Sequence, residues 1–258
     1  DYAYWTDAKY RAKGVGLTPE QLWAHLKAAR ERKMIVAWPS FGIHFALTSE
    51  MQRVCHETDL KFGGQWGSHF LPDKATRSNY LVSSIFEEAI ASSQLEGAST
   101  TRRDAMRMLS QGETPKDKSR LMIFNNYRTI KFLVEHKHEE LTPELLMHLH
   151  ALMTEHTLDK PEDAGRMRTN NEVVVENVMT NEVVHQPPHY EKLPAFVEEL
   201  CRFFNDDSPT PFLHPLLRAI IIHFMVAYMH PFVDGNGRTA RALFYWFMLR
   251  HDYWLMEY

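Results

Sequence analysis

Twelve consecutive residues, His230-Pro-Phe-Val-Asp-Gly-Asn-Gly-Arg-Thr-Ala-Arg241, carry an imidazole, a carboxylate, two glycines around an asparagine, and two arginines. With a reference pKa of ~6.5, the histidine can take a proton from a hydroxyl near neutral pH without being permanently charged, which suits a general base. Gly235 and Gly237 on either side of Asn236 allow left-handed backbone and close approach to a ligand. From about Gly237 a helical pattern follows, so the turn lies at a helix N-terminus, where unpaired N–H groups and the dipole favour phosphate. Arg238 and Arg241 are ~4.5 Å apart along a helix axis, so both can reach one polyphosphate, and arginine offers phosphate oxygens bidentate contacts. Asp234 is an oxygen ligand suited to Mg²⁺, which takes one or two carboxylates alongside phosphate oxygens and water. Phe232 and Val233 are expected to anchor the loop in the core. The run reads as a phosphate site with a base attached.

The elements that must position these groups lie upstream. Leu216, Leu217, Ile220, Ile221, Phe224, Met225 and Tyr228 recur at helical spacing, so His230 falls at or just past the end of an apolar helix that Pro231 cannot easily continue. Residues 78–97 read as another helix, with Leu81, Val82, Ile85, Ala89 and Ile90 as its apolar stripe and Gly97 as its stop. Glu96 sits at the end of that helix, where a carboxylate opposes the dipole by ~0.3–1 kcal/mol when exposed. An external cation would make sense of it, although local sequence alone favours a solvated side chain. The β signal lies between Arg166 and Pro188: Val173 to Val175, a turn over Asn177 to Asn181, then Val183 and Val184, bounded by Pro187-Pro188.

The run matches the Fic family signature His-Pro-Phe-x-Asp-Gly-Asn-Gly-Arg-x-x-Arg at every fixed position, and the chain thus resembles Fic proteins over about residues 78–250. The resemblance implies an all-α fold, a Fic-type helical domain with a small β-hairpin flap. It also implies an enzyme, a protein adenylyltransferase that moves AMP from ATP to a Ser, Thr or Tyr hydroxyl exposed on a target protein. By the same resemblance, His230 would be the catalytic base and Asp234 the ligand of Mg²⁺. Asn236, with the N–H groups around Gly235 and Gly237, would cradle the α- and β-phosphates, and Arg238 and Arg241 would bind the β/γ end. Thr239 and Ala240 complete this expected nucleotide-binding run. In the flap, Glu182, Val183, Val184 and His185 would lie beside the nucleotide while the strand aligns the target by β-addition. Phosphorylating relatives carry Lys where this chain has Gly237, which favours AMP transfer over kinase chemistry. Removal of AMP, another Fic-type phosphate-ester transfer, and ATP sensing without turnover are the alternatives.

Ser92-Ser-Gln-Leu-Glu96-Gly97 is similar to the Ser/Thr-x-x-x-Glu-Gly/Asn inhibitory motif of many Fic proteins. The resemblance implies that Glu96 pairs with Arg241 and takes the charge and space the γ-phosphate needs. Relatives of this kind often dimerise through helices near that segment, so a homodimer is among the implied assemblies.

At 258 residues and 44% hydrophobic content the chain can bury a sizeable core. A net charge of −4 without a basic run gives nucleic-acid binding little support, and no apolar run approaches the ~20 residues of a membrane span. Only Cys55 and Cys201 are present, so no zinc or disulfide framework is expected and a reduced, cytoplasmic setting is the default. The histidine pairs 136/138 and 148/150 sit two apart in helical patterns and point to different faces rather than to one ion. His185 and His189 flank the proline step and read as surface residues.

Thr18-Pro19-Glu20 and Thr142-Pro143-Glu144 mark helix starts. Helices are expected near 19–33, 45–59, 78–96, 102–111, 117–136, 143–156, 191–205, 214–229 and 237–250. Residues 1–77, with Tyr2, Tyr4, Trp5, Trp38 and Trp66, read as an N-terminal helical subdomain joined through Gly63-Gly64 to Thr76; residues 78–258 form the catalytic domain. Both ends read as cut, and the family's further C-terminal helices, which contribute to the adenine pocket, would follow Trp254 to Tyr258.

Overall fold

A computed structural model describes residues 3–62, 74–177 and 179–253. Tyr2, Trp66, the bulk of the expected linker and Trp254 to Tyr258 lie outside the described residues. The chain divides into two compact units, residues 1–56 and 57–258.

The first unit begins with α1 (Trp5–Arg11) and α2 (Pro19–Glu31). Thr18 caps α2 through a reciprocal box: its hydroxyl accepts from the Gln21 N–H at 3.2 Å while the Gln21 side chain accepts from the Thr18 N–H at 3.0 Å. A hairpin follows, β1 (Met34–Trp38) antiparallel to β2 (Ile43–Ala46), turning through Gly42 at φ 65. The N-terminal region, expected as a helical subdomain, thus carries this short hairpin besides its helices. Pro39–Phe41 form a single 3-10 turn between the strands, and Val36 points outward at 56% exposure while Ala37 and Trp38 are both buried, so burial does not alternate along β1. The helix expected from residue 45 starts only at Ser49: in α3 (Ser49–Phe62), Thr48 accepts from the Met51 N–H at 3.1 Å.

The second unit is helical apart from one further hairpin. Its elements are α4 (Lys74–Leu95), α5 (Arg102–Gln111), α6 (Lys118–Glu135), α7 (Pro143–Thr154), β3 (Val175–Asn177), β4 (Glu182–His185), α8 (Leu193–Asn205), α9 (Pro215–Met229) and α10 (Asn236–Arg250). The strands pair antiparallel, with Asn177 opposite Glu182 and Val175 opposite His185. Thr142 caps α7 by accepting from the Leu145 N–H at 3.1 Å.

Helix α10 is the centre of this unit, packing against α4, α6, α7 and α9. Leu243, Trp246, Phe247 and Met248 are fully buried on it, and fully burying a Leu, Phe or Met side chain contributes ~1.5–3 kcal/mol. Its indole Trp246 donates to the Lys137 carbonyl at 3.1 Å, so the apolar burial leaves no orphan N–H there. Ile85 and Ala89 of α4, Ile130 of α6, and Tyr245 and Leu249 of α10 form one cluster. That cluster fixes α4 alongside α10 and so decides where Glu96 arrives. Of the expected apolar stripe on α9, Ile220 and Phe224 lie on its half-exposed outer face. Among the described residues no helix is long and apolar enough to cross a membrane.

Candidate functional site

Helix α9 ends at Met229, and His230 follows in the left-handed region at φ 47, its N–H donating to the Val226 carbonyl at 3.0 Å. A non-glycine residue is uncommon in that region, and it turns the imidazole out of the helix stem. Nδ1 lies 2.9 Å from the Ala227 carbonyl, an acceptor, so Nδ1 carries the proton and donates. Nε2 is left with its lone pair. Burial pushes the His230 pKa below the ordinary value; the Ala227 carbonyl and Glu96 act upward, and His185 and Arg168 downward. The imidazole is thus neutral and basic near pH 7.

The loop from Pro231 to Gly235 is fastened from inside. Asn236 is buried and its amide makes both bonds to one residue: Oδ1 accepts from the Phe232 N–H at 2.9 Å and Nδ2 donates to the Phe232 carbonyl at 2.8 Å. Its side chain therefore shapes the loop, which leaves only its backbone N–H for an anion. Phe232 is buried as expected, but Val233 is 45% exposed and does not anchor the loop.

Gly235 caps α10 at φ 80, and a Cβ there would sit 2.8 Å from Thr154 Cγ2 and 3.3 Å from His150 Nε2. Both backbone angle and space demand glycine. The first N–H groups of α10, from Asn236 to Arg238, have no intrahelical acceptor and form the anion-favouring end.

Gly237 meets a different constraint. A Cβ on it would lie 2.1 Å from Glu96 Oε1, so the Glu96 carboxylate rests directly over the first turn of α10. Glu96 Oε1 also accepts from Arg241 Nη2 at 2.7 Å, and Arg241 donates further through Nε to Ser92 Oγ at 2.7 Å and through Nη2 to the Ser92 carbonyl at 2.9 Å. The cation expected beside Glu96 is therefore Arg241. A local device presents the carboxylate: at the end of α4 the Gly97 N–H bonds the Gln94 carbonyl and the Ala98 N–H bonds the Ser93 carbonyl, each at 3.0 Å, with Gly97 at φ 90. This is a Schellman cap, and Glu96 is its last residue before the left-handed glycine. Two helical turns earlier, Glu88 has its carboxyl pKa raised by burial against the electrostatic pull of the same arginine.

Asp234 is 56% exposed on its side chain. Oδ1 accepts from the Gly235 N–H and Oδ2 lies 3.9 Å from Arg238 Nη2. One outward carboxylate oxygen beside a phosphate-favouring helix end fits the single-carboxylate mode of Mg²⁺. No group of three or more acidic, histidine or cysteine side chains suited to a metal occurs among the described residues, so Asp234 would need phosphate oxygens and water to complete the shell. Asp234 also lines a polar cavity of about 540 Å³ shared with Lys118, Lys160, Arg166 and Asn170.

Not every residue of the run faces this site. Arg238 is buried, donates to the Met153 carbonyl at 3.1 Å, and keeps Nε without a partner among the described residues. Thr239 and Ala240 are buried in the core, because positions four and five past Gly235 turn inward as α10 packs on its neighbours. In the flap, Val183 and Val184 are 49% and 60% exposed and Val173 and Val174 stay outside the strands. His185 is not a free surface residue: its Nε2 donates to the Tyr228 carbonyl at 2.7 Å.

Two site residues escaped the sequence reading. His150, fully buried on α7, accepts from the Gly165 N–H through Nδ1 and donates through Nε2 to the Asp234 carbonyl, both at 2.9 Å, and stacks on Phe232 with centroids 3.7 Å apart. Burial pushes its pKa down to about 4. Arg168, 3% exposed, bonds the backbone around His230. Neither has a local sequence signal, since the partners lie 84 and 62 residues away.

Residues 140–248 match the model of the Fic/DOC family. The chain is 34% identical over 110 residues to the "Protein adenylyltransferase Fic" of Nematostella vectensis, covering 42% of this chain and 22% of that protein. It is 32% identical over 121 residues to the "Protein adenylyltransferase fic-1" of Caenorhabditis elegans, covering 47% of this chain and 22% of that one. The matched region thus spans about a fifth of these curated relatives. Among solved structures, a Fic domain containing signaling protein from Bacteroides thetaiotaomicron shares the fold with a TM-score of 0.61 at 22% identity, over 77% of this chain and 72% of that one. Fic-1 from C. elegans superposes with a TM-score of 0.56 at 22% identity, over 78% and 57% of the two chains. The twelve-residue run lies inside the segment that matches the Fic/DOC family, and the helices are arranged as in those Fic structures.

Proposed function

We propose that this protein transfers AMP from ATP to a hydroxyl side chain of a target protein and that Glu96 holds it in check. The observation that carries the reading is the placement of a neutral histidine, its Nδ1 proton committed to Ala227, at the same loop as an anion-favouring helix end. In that arrangement His230 Nε2 removes the proton of the acceptor hydroxyl, and the oxygen attacks the α-phosphorus of ATP. A P–O bond forms to the target, the bond to the β-phosphate bridging oxygen breaks, and pyrophosphate leaves. The N–H groups at the start of α10 would stabilise the charge that develops on phosphate, a contribution made by fixed dipoles. Asp234 would hold Mg²⁺, which supplies charge neutralisation when bound. Arg241 would receive the terminal phosphate once Glu96 has withdrawn.

Residues 1–77 serve in this reading as an appended unit and residues 78–258 as the catalytic domain. The exposed Val183 and Val184 of β4 support the flap as the strand that aligns the target. A second reading, removal of AMP from a modified protein, draws on one observation: Glu96 lies close enough to His230 to raise its pKa, so the two could orient a water together.

The test is incubation of wild type, Glu96→Gly and His230→Ala with ATP labelled on the α-phosphate and Mg²⁺, followed by intact mass. Incorporation of one AMP by Glu96→Gly, weaker in wild type and lost in His230→Ala, is the expected result. Nucleotide binding without incorporation in every variant would overturn transfer in favour of a sensing module. Release of AMP from a pre-modified protein by wild type, lost in Glu96→Gly, would favour the second reading.

A further inference from the structure

Arg168 sits in the segment that leads into β3, and all five of its guanidinium protons have an acceptor within reach. Nε donates to the His230 carbonyl at 2.8 Å. Nη1 donates to the Asn170 carbonyl at 2.7 Å and lies 3.3 Å from Asn171 Oδ1. Nη2 donates to the Pro188 carbonyl and lies 3.3 Å from the Met229 carbonyl. Its backbone N–H adds a bond to the Pro231 carbonyl at 2.8 Å.

These acceptors fall into two groups. Met229, His230 and Pro231 form the end of α9 and the start of the catalytic loop; Asn170, Asn171 and Pro188 are the two stems of the flap, on either side of β3 and β4. The terminal carbonyls of a helix lack intrahelical donors and carry the negative end of its dipole, so a cation there satisfies both. None of the contacts is a carboxylate. A buried charge held only by carbonyl dipoles is a costly way to fill a core position. A planar fork of five donors, however, fixes its partners relative to one another as a flexible ammonium cannot.

We propose that Arg168 is a positioning residue that locks the left-handed backbone of His230 and ties it to both flap stems, so that base and target-aligning strand are held in one register. This rests on the transfer reading above. The link makes the flap and the general base one mechanical unit, whereas the nucleotide phosphates are held by α10, which Arg168 does not touch. Loss of Arg168 should therefore slow the transfer while sparing nucleotide affinity.

The experiment compares Arg168→Lys and Arg168→Gln, each in the Glu96→Gly background. Readouts are melting temperature, affinity for a non-transferable ATP analogue (α,β-methylene ATP with Mg²⁺), AMP transfer against pH, and the NMR titration of His230. Both variants should keep analogue affinity within about threefold of the parent and lose roughly 100-fold in kcat, the scale on which a ~1 Å misplacement acts. The groups that act on the His230 charge are Arg168 from the flap segment, His185 from β4, the Ala227 carbonyl of α9 and, in the unmutated chain, Glu96 from the end of α4. Arg168→Gln removes a positive neighbour, so the acid limb of transfer and the His230 titration should move to higher pH. Arg168→Lys keeps the charge and should lose rate with little movement of either. Parental rates in both variants, or an equal loss of rate and analogue affinity, would overturn the proposal. If Glu96→Gly itself transfers no AMP, the transfer reading fails. The His230 titration still decides the positioning claim in that case, an unmoved titration in Arg168→Gln counting against it.

Discussion

The two approaches to the start of α10 are built in opposite ways. On the His230 side, the loop is held by buried amides and rings: Asn236 on Phe232, His150 between Gly165 and Asp234, Arg168 across Met229, His230 and Pro188. On the other side, Glu96 meets Arg241 with side chains 29% and 20% exposed. Buried polar contacts are expensive to break because the orphaned partner cannot find water, whereas a partly solvated ion pair is screened and replaceable. Under the proposed function, the geometry needed in every catalytic state is placed in the first kind of contact, and the contact that would yield to a phosphate is of the second kind.

The sharpest way to break the rigid side is Asn236→Ala. It orphans both the N–H and the carbonyl of buried Phe232, at ~1–3 kcal/mol each, so unfolding free energy should fall by roughly 2–6 kcal/mol. A denaturation midpoint equal to wild type would show that the loop does not depend on this amide.

Acid should loosen the same side through His150. Its folded pKa of about 4 lies below the ~6.5 of an unfolded histidine, so folding favours the neutral ring. The stability this confers is complete above pH 6.5 and is lost as pH falls toward 4, on the order of 3 kcal/mol. Denaturant titrations of metal-free wild type and His150→Gln at pH 7, 5.5 and 4 should show a steeper decline for wild type. Parallel declines would remove His150 from the account.

Glu96→Gly probes the yielding side, and the two readouts should diverge. Because the carboxylate blocks Gly237 sterically as well as pairing with Arg241, AMP transfer should rise by at least about tenfold, equivalent to ~1.4 kcal/mol. Stability should change by ~1 kcal/mol or less, as for partly exposed ion pairs. A large loss of melting temperature would place this contact with the rigid side instead.

The smallest expected effect is that of Gly97→Ala. Nothing crowds a Cβ at this position, so only the left-handed backbone at φ 90 is penalised, at ~1 kcal/mol. The altered cap should shift Glu96 and raise AMP transfer modestly. Unchanged transfer with lowered stability would show that Glu96 finds Arg241 without the cap.

Within the helical unit, the elements legible in sequence were those with long periodicity and side-chain caps, such as α7 behind Thr142 and α5 over residues 102–111. The β1–β2 hairpin was not, because four- and five-residue strands with one exposed valine carry too little pattern to stand out from a loop. In the candidate site, the order of residue types from His230 to Arg241 pointed to phosphate chemistry, yet it could not sort them by direction. Asn236 turned inward to Phe232 and Thr239 and Ala240 entered the core, since a helix spreads neighbouring positions around its axis and only packing decides which side faces the ligand.

The chain by itself determined the local features: a histidine beyond a helix end, a glycine turn at a helix start, a carboxylate followed by a stop glycine, and a hairpin bounded by prolines. These depend on backbone preferences and charge within a few residues. Only the tertiary structure decided that α4 lies against α10, which brings Glu96 to Arg241 across 145 residues. It also decided that His150 and Arg168 hold the loop from His230 to Gly235 from 84 and 62 residues away. Those contacts follow from which apolar faces bury one another, and nothing in the spacing of the polar residues encodes where that burial will place them.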